Sequence, residues 1–298
     1  MRPLDQAAAP WPTADPPADL PAGSAVGPDS SLGDLLGAIS AQANSRLRQL
    51  AGHRTAAPVL LAVAHGSRHP AAAATVAALL DAVRAQRPTL DVRLAHIELN
   101  GPLLTDVLAD LRRPVILVPL LFTRGHHVTH DLPGALAAAP HLRGRVAAPL
   151  GPHPLLAAAL HARLAEAGWS TGRRAGVVLA AAGSRAPDSA ADTARTAALL
   201  AERLGGVPVE AAYASAASPR THPALAEAVA RLRARGCRRI ALASCFAAPG
   251  LFAARMRAQA PGLVSEPLGA HPALARLVVR RYEEAWAGSG AQPTSASA

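Results

Sequence analysis

Two short segments of this chain occur twice, and the spacing between their copies is almost the same. The matching pairs are AVAHGSR at 62–68 with LAAAGSR at 179–185, and LGPHPLL at 150–156 with LGAHPAL at 268–274. Gly66 and Gly183 are 117 positions apart. His153 and His271 are 118 positions apart. Because two anchors share one period, the sequence indicates an internal duplication and predicts two similar lobes with a cleft between them.

Each copy alternates short apolar runs with longer amphipathic stretches. The runs that predict strands are 59–64, 91–97, 115–121 and 145–149 in the first copy, and 176–181, 207–213, 239–244 and 263–267 in the second. The stretches that predict helices are 71–86, 103–112, 154–167, 188–204, 222–235 and 272–286. Apolar strands that alternate with helices form parallel sheets covered on both faces. The predicted fold class is therefore α/β, with a parallel four-stranded sheet flanked by helices in each lobe.

The segments outside the repeat predict the domain organisation. Residues 1–55 are rich in Pro and Ala and are expected to be a disordered tail, with one amphipathic helix beginning near Ser31. The N-terminal lobe, which carries the candidate site, is predicted over 56–170. The C-terminal lobe follows over 171–287, and a second disordered tail over 288–298.

Charge and hydropathy exclude two function classes. The chain has 30 basic and 20 acidic residues and a net charge of +10, and it contains no lysine, so its basic residues are arginines spread along the chain. Aromatic residues make up only 3%, which leaves few surfaces on which bases could stack. We expect no nucleic-acid partner. The apolar stretch 240–254 is interrupted by Pro249 and Gly250 and is too short to span a bilayer, so no membrane association is expected.

The cysteines and the N-terminal segment bear on compartment and cofactor. Cys237 and Cys245 are separated by seven residues, which fits neither a disulfide framework nor a CxxC zinc site. The segment MRPLDQAAAPWPTADPP has no apolar core of the kind that secretory signals contain. We expect a cytoplasmic protein. No GxGxxG or GxxxxGK[ST] motif is present, so neither an organic cofactor nor ATP is expected.

Three ionisable residues of the first copy follow predicted strands. His65 ends the first strand in AHGSR, Glu98 follows the second in AHIELNGP, and His127 follows the third in VPLLFTRGHHVTHDLP. In open parallel sheets the functional positions lie beyond the carboxyl ends of the strands. We therefore expect the two imidazoles and the carboxylate to converge at one edge of the sheet. Imidazole binds transition metals and takes up protons near neutral pH.

The second copy serves as an internal control. Ala182 stands where the first copy has His65, and Phe252 lies near the place of His127. The counterpart of Glu98 is a small residue, either Ala214 or Ser215. Since the same turns are built without ionisable side chains, we infer that these side chains serve chemistry.

Each candidate also has a structural interpretation. His126 or His130 could be the functional imidazole instead of His127, and Glu98 could stabilise a helix start. Ser67 in HGSR lacks the GxSxG context of a hydrolase nucleophile. The repeated His153 and His271, each followed by proline, are expected to cap helices.

The segments AHGSR, HIELNGP and VPLLFTRGHHVTHDLP together resemble the sirohydrochlorin chelatase family, class II chelatases that insert Fe²⁺ or Co²⁺ into sirohydrochlorin. The resemblance covers about residues 58–287. It implies a chelatase-like fold, in the long, internally duplicated form, so that one chain acts as a monomeric pseudo-dimer. It also implies an ATP-independent lyase of sirohaem or cobalamin biosynthesis, with sirohydrochlorin and a divalent metal ion as partners.

The resemblance also assigns roles to residues. His65 and His127 would bind the incoming metal and accept pyrrole protons, and Glu98 would assist deprotonation. Arg68, Arg124 and Arg185 are candidate anchors for the eight carboxylates of sirohydrochlorin, because arginine binds carboxylates through two parallel hydrogen bonds. The alternative functions are a non-catalytic metal or tetrapyrrole carrier on the same fold, and a regulatory protein whose N-terminal helix recruits a partner.

Overall fold

The computed structural model describes residues 57–215 and 223–288, and the first sheet lies at the start of this range. Its parallel strands are β1 Val59–Ala64, β2 Val92–His96, β3 Val115–Pro119 and β4 Gly144–Val146, in the spatial order β2-β1-β3-β4. β1 is buried along its whole length, as expected of a central strand covered on both faces. The predicted four-stranded sheet of the first lobe is confirmed.

The second sheet repeats this order with one strand fewer. It consists of β5 Ala175–Ala181, β6 Val209–Tyr213 and β7 Arg239–Ser244, in the order β6-β5-β7. Within the described residues, the strand predicted over 263–267 is reduced to an isolated bridge between Leu242 and Val264. The Ser244 backbone N–H donates to the Ser265 hydroxyl at 3.0 Å, so a side chain takes the place of the next backbone rung. The second lobe therefore has three strands and a bridge where four strands were predicted.

Three helices begin with the same His-Pro pair. These helices are α1 Pro70–Gln86, α4 Pro154–Glu166 and α8 Pro272–Ala287. His69, His153 and His271 each accept, through Nδ1, the backbone N–H two residues later, at 3.0–3.2 Å. Proline at the first helical position loses no hydrogen bond, because that N–H has no partner inside the helix. The predicted capping role of His153 and His271 is confirmed, and His69 caps in the same way.

The other helical segments do not begin with a His-Pro pair. They are α2 Leu104–Asp110, a π-helical turn at His127–Asp131 that continues into α3 Leu132–Ala137, α5 Pro187–Arg203, α6 Leu225–Ala234 and α7 Leu251–Ala258. The π-turn, α3 and α7 were not predicted. Pro133 and Gly134 lie within α3, and Pro249 and Gly250 precede α7. Because proline and glycine are typical of turns, the sequence pattern does not indicate a helix at either place.

The two lobes exchange their last helices. α4, from the first repeat, packs against α5 and β7, whereas α8, from the second repeat, packs against α1 and β3. The Tyr282 hydroxyl on α8 donates to the Pro58 carbonyl at 2.8 Å, and the Arg163 guanidinium on α4 donates to the Leu268 carbonyl at 2.8 and 3.1 Å. The largest apolar core contains residues of both repeats. The described residues from Pro58 onwards accordingly belong to one compact unit.

Some predicted features fall outside the described part of the chain. The tail and amphipathic helix of 1–55 lie outside it, and so do residues 289–298. Across 57–215 and 223–288, no helix combines the length and the apolar character that a bilayer crossing requires.

Candidate active site

A glycine brings the loops after β1 and β2 into contact. Gly66 has a φ of +104°, and a Cβ at this position would lie 1.9 Å from the Glu98 carbonyl oxygen. The Glu98 N–H donates to the His65 carbonyl at 3.1 Å, and the Ser67 N–H donates to Asn100 Oδ1 at 2.6 Å. Only glycine tolerates this close approach together with a positive φ. The turn places His65 Nε2 3.3 Å from Glu98 Oε1, which forms the first imidazole–carboxylate pair.

The π-turn after β3 supplies a second pair of the same kind. His127 Nδ1 lies 2.6 Å from Asp131 Oδ2, since residues four apart share one side of the turn. The ring centroids of His127 and His65 are 4.9 Å apart, and the rings are nearly perpendicular, at 80°. Asp131 occupies Nδ1 of His127 and leaves Nε2 as the atom for a metal ion or a proton. The structure thus brings the three predicted residues together and adds Asp131.

The neighbouring histidines occupy different places. His126 and His130 stack with ring centroids 4.6 Å apart, and His126 Nε2 lies 3.6 Å from Asp131 Oδ1. His130 Nδ1 lies 2.8 Å from the Thr129 hydroxyl. His127 is therefore the imidazole that faces His65, while His126 reaches the site through their shared carboxylate partner.

His65, His126 and His127 line a cavity of about 750 Å³, and residues of both lobes form its walls. Its basic lining residues all come from the first lobe: His65, Arg68, His69, His96, His126 and His127. No carboxylate of the described residues is in this lining. The second lobe contributes mainly small and apolar side chains, among them Ala182, Phe246, Leu251 and Phe252. The cavity therefore has one wall with basic side chains and one mainly apolar wall, with a bias towards anionic ligands.

Matched backbone hydrogen bonds define which residues of the two lobes correspond. Glu98 N–H donates to the His65 carbonyl, and Ser215 N–H donates in the same way to the Ala182 carbonyl. The counterpart of Glu98 is therefore Ser215, which resolves the choice left open by the sequence.

The loops after β3 and β7 correspond in the same way. Leu120 N–H donates to the Val63 carbonyl, and Cys245 N–H donates to the Ala180 carbonyl. His127 and Phe252 both lie seven positions beyond these donors, so the predicted correspondence between them is confirmed.

Large apolar side chains are exposed at the rim of the cavity. Leu251 is 70% exposed, Leu99 is 49% exposed and Phe252 is 38% exposed, and all three line the cavity. Exposed apolar side chains that cluster at a cavity mark a place where an apolar ligand surface is covered.

The three arginines predicted as carboxylate anchors lie in different surroundings. Arg68 lines the cavity. Arg185 is exposed and is not among the described lining residues. Arg124 is likewise not among the described lining residues, and its guanidinium donates to the buried Asp192 carboxylate through Nε and Nη2 and lies near Asp188 through Nη1. A hydrogen bond from Arg124 to Asp192 raises the pKa of the guanidinium. A buried carboxylate requires such a partner, which the sequence pattern could not reveal.

Two further polar groups lie on the floor of the cavity. Burial raises the pKa of the Cys245 thiol to about 12, so this cysteine stays protonated and is a poor metal ligand. His96 is 6% exposed, and its Nδ1 has no hydrogen-bond partner in the described structure. Among residues 57–215 and 223–288, no group of three His, Cys, Asp or Glu side chains is arranged to hold a metal ion.

Sequence reasoning missed Asp131 and Asp192. The segment HVTHD, in which Asp131 is the fourth residue after His127, was a usable signal for Asp131 once the segment was known to be helical. Asp192 lies 68 positions from its partner Arg124, and no local pattern connects the two residues.

The fold and the site define a two-lobed chelatase-like α/β protein with two imidazole–carboxylate pairs in one lobe. The CbiX family model matches the chain at residues 59–167 and 176–285, and the chain belongs to the CbiX family. The two matches coincide with the two repeats, and they confirm the resemblance found in the sequence. No curated protein matches the chain.

Solved structures with the same architecture include three chelatase-related proteins. SirB from Bacillus subtilis with Fe³⁺ is 24% identical, with a TM-score of 0.63 over 79% of this chain and 98% of SirB. SirB from Bacillus subtilis subspecies spizizenii in complex with cobalt is 21% identical, with a TM-score of 0.61 over 78% and 97% of the two chains. CbiX, the terminal enzyme of siroheme biosynthesis in denitrifying bacteria, is 25% identical, with a TM-score of 0.57 over 76% and 99%. These likenesses confirm the predicted chelatase-like fold.

Proposed function

We propose that this protein is a sirohydrochlorin chelatase, a lyase that inserts Fe²⁺ or Co²⁺ into sirohydrochlorin without ATP. The observation that carries the proposal is the pair of imidazoles, His65 and His127, 4.9 Å apart at one wall of a large apolar cavity. Membership of the CbiX family and the likeness to chelatases solved with iron and cobalt support it.

The proton balance of the reaction matches the site. Insertion of one divalent cation releases two protons from the pyrrolic N–H groups of the macrocycle, so the site must accept two protons. His65 with Glu98, and His127 with Asp131, form two imidazole–carboxylate pairs in one lobe. In each pair the carboxylate orients the ring, and the ring accepts a proton and passes it towards solvent.

The protein must hold the metal only loosely, because the metal is a substrate that leaves with the macrocycle. Two imidazoles provide two nitrogen ligands, whereas the macrocycle provides four. Glu98 and Asp131 lie beside the imidazoles as their hydrogen-bond or ion-pair partners, and among the described residues no group of three His, Cys, Asp or Glu side chains is arranged to hold a metal ion. We propose His65 and His127 as the metal-handling residues for both iron and cobalt, since imidazole binds either ion.

The cavity walls suggest how sirohydrochlorin is oriented. Its flat face would pack against Leu251 and Phe252 of the second lobe and thereby present its nitrogens to the imidazoles of the first. Its carboxylates would lie towards Arg68 and away from the apolar wall. We further propose that one chain is a monomeric pseudo-dimer, that it acts in the cytoplasm, and that it requires no organic cofactor.

The test is multiple-turnover metal insertion. Purified protein is mixed with an excess of sirohydrochlorin and Co²⁺ or Fe²⁺ under anaerobic conditions, and the absorbance spectrum of the macrocycle is followed. A chelatase converts many equivalents per protein molecule, faster than the metal inserts without protein. A carrier, the alternative function, would bind one equivalent and stop, and that outcome would overturn the proposal.

A further inference from the structure

We infer that Asp192, in the second lobe, is a positioning residue that holds the loop carrying His127 in its productive place. This inference rests on the proposed chelatase function and deepens it. It assigns a task to the lobe that lacks the ionisable set: the second lobe anchors the reactive loop of the first.

The contact between Asp192 and the loop is built from both backbone and side chain. The Arg124 backbone N–H donates to Asp192 Oδ2 at 2.8 Å. The Arg124 guanidinium donates through Nη2 to Oδ1 at 2.7 Å and through Nε at 3.1–3.2 Å. Asp192 is 3% exposed, so these charge-assisted bonds are shielded from water on its side. Because Asp192 binds both the backbone N–H and the guanidinium of Arg124, it fixes the direction of the backbone as well as the position of the side chain.

The same face of α5 makes further contacts with the loop. The Ser189 hydroxyl lies 2.9 Å from the Thr123 hydroxyl, and Asp188 lies 3.3 Å from Arg124 Nη1. Positions 188, 189 and 192 lie on one side of the helix, because residues three and four apart are neighbours. The two buried residues of this side, Ser189 and Asp192, are called the α5 clamp below, whereas Asp188 is exposed and makes only the one longer contact with Arg124.

The clamp connects directly to the π-turn. Gly125 follows Arg124, and its carbonyl accepts the N–H groups of Val128 and Thr129 at 3.1 Å, which starts the turn that presents His127. A movement of Arg124 therefore moves the first carbonyl of the turn. The ring of His127 lies only 4.9 Å from that of His65, so a small displacement of the turn changes the metal-binding distance.

The other half of the molecule lacks the clamp. With the offset of 117 that relates α1 to α5, the counterparts of Asp188, Ser189 and Asp192 are Ala71, Ala72 and Thr75. In the loop after β7, the counterpart of Arg124 is Pro249, at the offset of 125 fixed by the matched hydrogen bonds. Among these described positions, the ion pair between the loop and the helix thus occurs only at the loop that carries His127. General stabilisation of the lobe interface would not require this asymmetry.

The first experiment compares Asp192→Asn with Asp188→Asn as a matched control on the same helix face. Asp192→Asn keeps the shape and removes the charge. We expect it to lower kcat at least about tenfold while KM for sirohydrochlorin stays within about twofold of wild type, because binding surfaces are retained and positioning is lost. Asp188, which is exposed and makes one longer contact, should change both constants by less than about twofold. Equal losses in the two variants, or an unchanged kcat in Asp192→Asn, would overturn the inference.

The second experiment measures the loop without relying on activity. Hydrogen–deuterium exchange of the peptide spanning 121–131 should be faster in Asp192→Asn than in wild type, while the buried strand 59–64 exchanges at the wild-type rate. Uniformly faster exchange, or no change in 121–131, would contradict a positioning role. This readout stands even if the wild-type protein has no chelatase activity, a result that would overturn only the proposed function.

A third variant covers the case in which Asp192→Asn unfolds at the assay temperature. Arg124→Lys keeps a cation beside Asp192 but removes the guanidinium, which donates to the Asp192 carboxylate through two nitrogen atoms. It should show the same selective loss of kcat and the same faster exchange in 121–131. Wild-type values in both measurements would overturn the inference.

Discussion

Replacing Gly66 by alanine tests how the site is assembled, because the repeat supplies a matched control in Gly183. Both glycines follow a central strand in a GSR segment, and both have positive φ values, +104° and +87°. An alanine forced into such a conformation costs about 1–2 kcal/mol. We expect both Gly66→Ala and Gly183→Ala to lower the free energy of unfolding by this backbone term.

The two substitutions differ in which residues move when the loop makes room for the new methyl group. At Gly66 the added Cβ would lie 1.9 Å from the Glu98 carbonyl oxygen, so the loops after β1 and β2 must separate by at least 1.5 Å to reach the 3.4 Å of ordinary contact. That movement carries His65 away from Glu98. A displacement of about 1 Å in a reacting group costs on the order of a hundredfold in rate. The loop of Gly183 carries Ala182 in the place of His65, and no reactive residue moves with it.

The assay is the initial rate of Co²⁺ insertion into sirohydrochlorin, measured together with thermal unfolding for both variants. Gly66→Ala should lose on the order of a hundredfold in kcat, whereas Gly183→Ala, with a comparable fall in Tm, should keep most of its activity. A Gly66→Ala protein with wild-type kcat would refute the reasoning that this glycine sets the distance between His65 and Glu98.

Three further predictions concern the second imidazole pair, the apolar wall and the histidine caps. Asp131→Ala should lower kcat about tenfold or more with an unchanged Kd for sirohydrochlorin, because it removes the group that orients His127; an unchanged rate would show that the ring needs no such partner. Phe252→Ala should weaken sirohydrochlorin binding about tenfold, measured by fluorescence titration, and a wild-type Kd would remove the macrocycle from this wall. Burial, followed by nearby arginines, lowers the pKa of both His153 and His271. The unfolded chain then binds more protons, so the free energy of unfolding should fall as the pH drops below about 6.5. His153→Asn with His271→Asn should keep the caps and flatten this dependence in denaturant titrations at several pH values, and an unchanged slope would contradict it.

Much of the fold followed from local patterns. Buried parallel strands are continuous apolar runs, so β1 and β5 were predicted to within one residue of their observed bounds. His65, Glu98 and His127 were found because the carboxyl ends of parallel strands share one edge. The repeat then separated the glycines that both copies share from the ionisable residues that occur in one copy only.

The features that were missed depend on contacts between distant segments. Periodicity describes which face of a helix is buried but not which lobe covers it, so the exchange of α4 and α8 was not predicted. Arg124 was assigned to the substrate because its partner, Asp192, lies in the other repeat. The segment 263–267 has strand-like residues, but Ser265 replaces a backbone rung with its hydroxyl and limits the pairing to a bridge.

We propose that the imidazoles of one lobe carry the insertion reaction while both lobes bind the macrocycle. The most direct measurement is the rate of Co²⁺ insertion at saturating sirohydrochlorin for wild type, His65→Ala, His127→Ala and the double variant, with macrocycle binding measured in parallel. We predict that all four proteins bind sirohydrochlorin with similar Kd, that each single variant is much slower than wild type, and that the double variant is no faster than the reaction without protein. If His65→Ala and His127→Ala both insert Co²⁺ at the wild-type rate, the imidazole pair is not the reactive centre.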